Sequence, residues 1–591
     1  MKKKTLIELL LRCYQNFDND CGIIYTKEGD EYVSISRNEL LSNVIQLVNY
    51  FKTLELKSHD KIAIVSENRN EWVITDLACI LSGMVLVPLY VSLSSESIKY
   101  ILKDSCSVVC FVSGELQLEK VISVRKDLPD LKQIICFKKT KKKYEDVSYL
   151  REVLDSTNGI NRDGIEDFIR NSSENISEED LVTIIYTSGT TGIPKGVMLT
   201  HKNMCSNLLA CMKVLQITEK DTFLSYLPYS HSYERTAGYY LAFFSGSKIY
   251  YAQNIDTIAL QMQEVKPTII ITVPLLLDRM YNRVMKRRDE LPEGYRKRLF
   301  IRATDMAMNK DRRKFSIKWF LADKFVFKTI RARTGGRIRF FVSGGGALNR
   351  NIGEFLDRIG IQTFEGYGLT ETSPVISVNR PHRNKYGTVG LPLYGVEVKI
   401  EPDGEIIVKG DLVMKGYYRD EEETKRTIKD GWLYTGDIGE IDKDGYIKFK
   451  DRKKSLFKSS GGKYIAPAQI EDLVQQIPYI DQVLIIGNER MYVTALIVPE
   501  LNELKSLSKQ LRITLKDVKE LLKSRELLKK IETDINNLQK HLSQFEKVRK
   551  FTLLEKPFTI EDGELTPTMK IKRKFVEEKY KDLIEKMYHK V

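Results

Sequence analysis

The chain has 591 residues, room for about three to five folding units and for a core that needs no disulfide or metal staple. Hydrophobic residues make up 42% and charged residues 29%, the balance of a soluble globular protein. The net charge of +14 raises three polyanionic partners, namely nucleic acid, anionic membrane and a phosphorylated substrate, but it is local: residues 279–339 hold 20 Lys and Arg against 6 Asp and Glu, the whole surplus.

In chain order, Leu6, Leu9, Leu10, Cys13 and Phe17 recur at helical spacing, so the basic N-terminus reads as an amphipathic helix rather than a secretory leader. The longest apolar run, Leu77–Leu93, contains Gly83 and Pro88. It is short of the roughly 20 residues of a bilayer span and predicts a buried helix followed by a buried strand, with no transmembrane segment. The eight cysteines form no Cys-x-x-Cys pair, which predicts reduced thiols in a cytosolic protein rather than a disulfide framework or zinc site.

Apolar runs at Lys61–Val65, Val85–Val87, Val108–Val112, Gln133–Phe137, Thr268–Thr272 and Ile338–Val342 alternate with helical stretches. Near-continuous apolar strands of this kind belong to parallel sheets covered on both faces. After residue 385 the texture changes. Val396–Ile400, Glu405–Lys409 and Tyr446–Lys450 alternate polar and apolar, with Asp403-Gly404 and Asp444-Gly445 between strands. These are hairpin signals and predict a small antiparallel unit over about 385–450. Asp451-Arg-Lys-Lys454 interrupts the pattern. A helix at Ala468–Ile477, strands near Val483–Ile486 and Val493–Val498, and a charged helical tract from 501 to 545 then predict an α+β domain over 455–591.

The sharpest signal is Thr187-Ser-Gly-Thr-Thr-Gly-Ile-Pro-Lys-Gly196, which directly follows the apolar strand Leu181–Tyr186. Its glycines permit close backbone approach, and its four hydroxyls and Lys195 suit an oxyanion, most simply phosphate. It is not a Walker A loop, because Gly196 follows the lysine.

This loop resembles the phosphate-binding signature of the adenylate-forming superfamily, and further motifs of that family follow in its order. Tyr367-Gly-Leu-Thr-Glu-Thr372 is similar to the second core motif; the resemblance puts Tyr367, Gly368 and Thr370 at the nucleotide, with Thr370 near the α-phosphate, and Mg2+ on Glu371. Ser343-Gly-Gly-Gly-Ala-Leu348 resembles the adenine-side segment, with Gly344 and Gly345 at the nucleotide. Trp432-Leu-Tyr-Thr-Gly-Asp437 resembles the motif whose aspartate takes the ribose hydroxyls, with Arg452 as the second ribose contact and Lys454 as the hinge. Leu565-Thr-Pro-Thr-Met-Lys-Ile-Lys-Arg573 resembles the C-terminal motif that supplies the catalytic lysine, here Lys570, although Met569 stands where a glycine is frequent.

The resemblance implies the adenylate-forming fold: an α/β N-terminal domain of two αβ-layered sheets plus a small antiparallel β subdomain over 1–451, a hinge at 452–454, and a mobile α+β C-terminal domain over 455–591. ATP would lie against Thr187, Ser188, Gly189, Thr190, Thr191, Gly192 and Lys195. Lys195, Thr370, Glu371 and Lys570 would act in catalysis. A carboxylate would attack the α-phosphorus to give acyl-AMP and pyrophosphate, and a thiol would then expel AMP. Gly461 would line the thiol tunnel, with Lys463 either there or at the surface near phosphate.

Pro228-Tyr-Ser-His-Ser-Tyr-Glu-Arg235 resembles the acyl-pocket motif of long-chain fatty acid–CoA ligases, with His231 and Tyr233 at the acyl chain; a structural role for His231 stands beside that of a gate. The segments Leu321–Lys328 and Ile330–Gly346 resemble the same group. The implied partners are therefore a long-chain fatty acid, ATP with Mg2+, and coenzyme A. A fatty acid–acyl carrier protein ligase is the alternative, and an inactive basic membrane-binding homologue is a further one. No nucleic-acid motif accompanies the basic window, so residues 279–339 are expected to meet anionic lipid, on a cytoplasmic protein peripheral to the inner face of the membrane; an oligomer is left open.

Overall fold

The structure, a computed structural model, describes residues 3–588 apart from 143, 160–161, 189–193, 255–256, 310–315, 454, 461–462, 512, 514–516, 561 and 567–569. The chain divides into two compact units. Met1–Lys399, Ile407–Thr435 and Ile441–Lys448 form the larger; Ile400–Ile406, Gly436–Glu440 and Phe449–Val591 form the smaller.

Two sheets build the larger unit. The eight-stranded sheet runs in the order Gly416–Tyr417, Pro194–Thr200, Leu181–Ser188, Val85–Leu89, Lys61–Val65, Ser107–Val112, Gln133–Cys136, Val147–Tyr149. Its body is parallel, and the hairpin Leu181–Ser188/Pro194–Thr200 adds antiparallel pairing at one side. The nine-stranded sheet has Ile269–Thr272, Phe340–Ser343 and Thr363–Gly368 in parallel at its centre.

Alternate residues of these strands enter different cores, as a strand's period of two requires. Ile62 and Ile64 join the large core that also holds Ile269, Ile271, Phe340 and Val342. Ala63 and Val65 face the opposite core with Val85 and Val87, while Ile270 and Phe341 face a third, built by the helices of residues 274–332. Both faces of each sheet are thus buried, which is why the strands read as unbroken apolar runs. The apolar stretch after residue 70 resolves into the helix Asn70–Ser82, a left-handed Gly83 (φ 71°) and the buried strand Val85–Leu89.

The smaller unit centres on Ile480–Ile486, Val493–Pro499 and Val548–Leu553. Ile485, Ala495 and Ile497 pack with Ile470, Leu504, Leu527 and Ile531 on one face, and Leu484, Leu496 and Val498 with Val576 and Ile584 on the other. The charged helical tract expected from 501 to 545 is helical, divided into Leu501–Gln510, Val518–Leu521 and Arg525–Leu538. Asp517 and Ser524 cap the second and third, each accepting a backbone N–H of the turn that follows, so each restarts the helix rather than continuing it. The strand expected over Tyr446–Lys450 runs Ile447–Arg452, two residues into Asp451-Arg-Lys-Lys454.

Candidate active site

The site of the larger unit lies where parallel strands end, the place at which open α/β sheets bind ligands. Thr187 pairs with Lys195 and Ser188 with Pro194, so the hairpin closes directly beneath the loop; Gly189, Thr190, Thr191 and Gly192 lie outside the described residues. Gly196 is required by packing, because a Cβ there would lie 2.7 Å from Ile184 Cγ2.

Lys195 leaves this hairpin with 18% of its side chain exposed and pairs with Glu423 (Nζ–Oε1 2.6 Å). Its ammonium also lies 5.5 Å from the Tyr417 ring centroid, within cation–π range. Tyr417 donates its hydroxyl to Glu371 Oε1 at 2.9 Å. Burial and the Glu371 carboxylate push the Tyr417 phenol far above its ordinary range, so it stays a donor. The backbone fixes this triad: Met414 N–H donates to the Glu371 carbonyl (2.9 Å) and Tyr417 N–H to Thr424 Oγ1 (2.8 Å).

Glu371 follows the strand Thr363–Gly368 in the short turn Thr370–Thr372. Tyr367 ends that strand with Gly368, where a Cβ would meet the Pro374 carbonyl at 1.8 Å, so only glycine fits. Thr370 Oγ1 lies 3.1 Å from Ser232 Oγ, which joins this turn to the segment 228–235. There Tyr233 donates to the Val342 carbonyl (2.9 Å), and a Cβ on Gly344 would lie 2.8 Å from its ring. Gly345 has φ 78°, a turn that glycine permits. Tyr233 N–H donates to His231 Nδ1 (3.1 Å). Lys195, Thr370, Glu371, His231, Tyr233 and Gly344 are thus brought together in the larger unit.

Beneath them lies a buried polar layer. Arg235 donates to Asp76, to Thr183 Oγ1 (2.8 Å) and to Tyr240 (3.1 Å), and both ends of the Arg235–Asp76 pair are fully buried. Glu234 accepts from Ser225 (2.6 Å), and burial pushes its carboxyl up to about 8.

The smaller unit carries the remaining residues. Asp437, 1% exposed, pairs with Arg452 at 3.3 Å. Gly436 before it has φ 69° and donates its N–H to Glu405 Oε1. Lys453 pairs with Asp403 and Glu405, each at 2.6 Å. Lys463 is exposed and pairs its backbone with Ser459. Lys570 is exposed, and its N–H meets Thr566 Oγ1 (3.0 Å) while the Thr566 N–H meets its carbonyl (2.8 Å). Lys454 and Gly461 lie outside the described residues.

Tyr417, Glu423 and Ser232 were missed as site residues by sequence reasoning. Ser232 stands inside a quoted motif, whereas Tyr417 and Glu423 carry no local signal and meet Lys195 only through the fold. Among the described residues no three His, Cys, Asp or Glu gather as a metal site. Glu371 nonetheless suits Mg2+, which is usually held by one or two carboxylates together with substrate phosphates.

Residues 15–418 match the AMP-binding enzyme family, and residues 455–591 match the AMP-binding enzyme C-terminal domain. A long-chain fatty acid–CoA ligase of Mycobacterium bovis is 31% identical over 97% of both chains. Long-chain fatty acid–CoA ligase 5 of Rattus norvegicus is 34% identical over 98% of this chain and 89% of its own. The adenylation domain of a carboxylate reductase from Mycobacterium chelonae superposes with a TM-score of 0.78 at 20% identity, over 99% of this chain and 91% of that one. The chain belongs to the AMP-binding enzymes, with the adenylate-forming fold, and within them to the long-chain fatty acid–CoA ligase family.

Proposed function

We infer that the chain activates long-chain fatty acids with ATP and transfers them to coenzyme A. The observation that carries this reading is the meeting of Lys195, Tyr417 and Glu371 beside Thr370 at the strand ends. A fatty carboxylate is ionised at neutral pH, so no general base is needed to form acyl-AMP; catalysis is positioning and charge neutralisation. Lys195 would leave Glu423 for a phosphate oxygen, and Thr370 would stand near the α-phosphate. Glu371 would hold Mg2+, which neutralises phosphate charge when bound, while Tyr417 fixes the carboxylate. Asp437 and Arg452 would take the ribose, with Thr187, Ser188, Gly344 and Gly345 along the nucleotide and His231 and Tyr233 at the acyl end.

Lys570 would neutralise the developing charge during adenylation. Attack of the thiol then expels AMP and needs access, which a swing of the domain 455–591 about Lys454 would provide, with Gly461 and Lys463 toward the thiol. Coenzyme A as acceptor is supported by the relatives named CoA ligases. No helix among the described residues is long and apolar enough to cross a membrane; the surplus of cations in 279–339 supports a cytoplasmic location with peripheral contact to anionic lipid. The test is oleate with ATP and either coenzyme A or acyl carrier protein: oleoyl-CoA with AMP release is expected, and thioester on carrier protein alone would contradict the assignment.

A further inference from the structure

The helical stretch from Ile317 to Ala332 is apolar on two opposite sides. Trp319, Ala322, Val326 and Phe327 are buried in the core on the outer face of the nine-stranded sheet. Ile317, Phe320, Leu321 and Phe325 point outward, with exposures of 82, 67, 43 and 57%. Their spacing of 3, 1 and 4 residues places them on one side of the helix, and Lys318, Lys324 and Lys328 stand exposed among them. The neighbouring helices Pro274–Glu290 and Tyr295–Met308 add exposed Arg279, Arg283, Arg287, Arg296, Arg298 and Arg302.

Four large apolar side chains on one exposed face are costly in water, and such patches mark interaction sites. Aromatic and aliphatic residues set among lysines are the pattern of a helix lying in a bilayer interface, where lysine stems reach toward headgroups. Charge decides the partner, because residues 279–339, which contain this helical stretch and the arginines of its two neighbouring helices, hold the whole positive surplus of the chain and anionic lipid is its complement. We propose that Ile317, Phe320, Leu321 and Phe325 insert into the surface of an anionic membrane, with the surrounding cations on its headgroups. This rests on the reading of the chain as a fatty acid ligase with peripheral membrane contact, and it assigns that contact to one helix face rather than to diffuse charge.

The test is sedimentation of the full chain with phosphatidylcholine vesicles, with and without a third of phosphatidylglycerol, at low and high salt. Wild type should bind the anionic vesicles in a salt-sensitive way. Phe320→Ser/Phe325→Ser should lower that partitioning by roughly tenfold while its melting temperature and its oleoyl-CoA synthesis from albumin-delivered oleate stay unchanged. Lys318→Gln/Lys324→Gln/Lys328→Gln should also weaken binding and flatten its salt dependence. If the serine variant binds as wild type does while salt still releases it, charge alone makes the contact and the insertion proposal fails. Absence of binding by wild type would overturn the membrane contact itself, and absence of oleoyl-CoA from albumin-delivered oleate would overturn the ligase reading separately. If the serine variant halves the mass of the free protein in solution, the face is a contact between two copies and the proposal is wrong.

Discussion

Glu371 and Lys195 meet at Tyr417, whose hydroxyl holds the carboxylate and whose ring lies beneath the ammonium. Tyr417→Phe keeps the ring and removes the hydrogen bond, which to a charged acceptor is worth about 1.5–3 kcal/mol. The expected result is about a tenfold or greater loss in kcat/KM for ATP, with a raised Mg2+ requirement and an unchanged KM for fatty acid. Kinetics at varied Mg2+ check it, and an equal effect on both substrates would point to a general disturbance of the fold. Glu234 gives a pH prediction. Burial lifts its carboxyl to about 8, whereas an unfolded chain releases that proton near 4.3. Between those values the native state holds more protons, so this group lowers stability as pH rises. Glu234→Gln keeps a neutral side chain of similar shape, and urea midpoints measured from pH 5 to 8 should therefore fall less steeply than in wild type. Tyr417 shows the limit of reading residues from sequence: its partner Lys195 is 222 positions away, and nothing in Gly416-Tyr417 announces a contact with Glu371.

At the scale of elements, the turns that carry Thr370 and Tyr233 are held from below. Arg235 ties the π-helical turn Glu234–Tyr240 to Asp76 on the helix Asn70–Ser82 and to Thr183 on the strand Leu181–Ser188. Removing one member of a buried pair leaves an uncompensated charge, so Arg235→Met should cost about 3–5 kcal/mol. Asp76→Leu combined with it should recover much of that loss; denaturant unfolding of the three variants checks both statements. The strands were legible because each is buried on both faces, as at Lys61–Val65, where sequence and structure give the same bounds. The π-helical turn was not: Glu234 lies against Gly238, where a Cβ would lie 2.3 Å from Oε1, a close fit that no apolar periodicity announces. The tract over 501–545 was legible as helical, but the caps Asp517 and Ser524 that divide it were not, because charged and apolar residues keep a helical texture across them.

Across the whole molecule, the surplus charge was visible in composition, but the side on which Ile317, Phe320, Leu321 and Phe325 emerge depends on which face of their helix covers the sheet. The larger unit gathers Lys195, Thr370 and Glu371, while Asp437, Arg452 and Lys570 belong to the smaller. If the smaller unit serves adenylation through Lys570 and then withdraws it, Lys570→Ala should lower acyl-AMP formation by about 100- to 1000-fold. The same variant should still convert supplied acyl-AMP and coenzyme A to thioester; equal loss in both half-reactions would contradict the swing. The central claim, that a fatty carboxylate attacks ATP at this site, is tested most directly by pyrophosphate exchange into ATP. Exchange that depends on added fatty acid and reaches its maximum with a long-chain acid is predicted; no exchange with any acid from octanoate to stearate would contradict it.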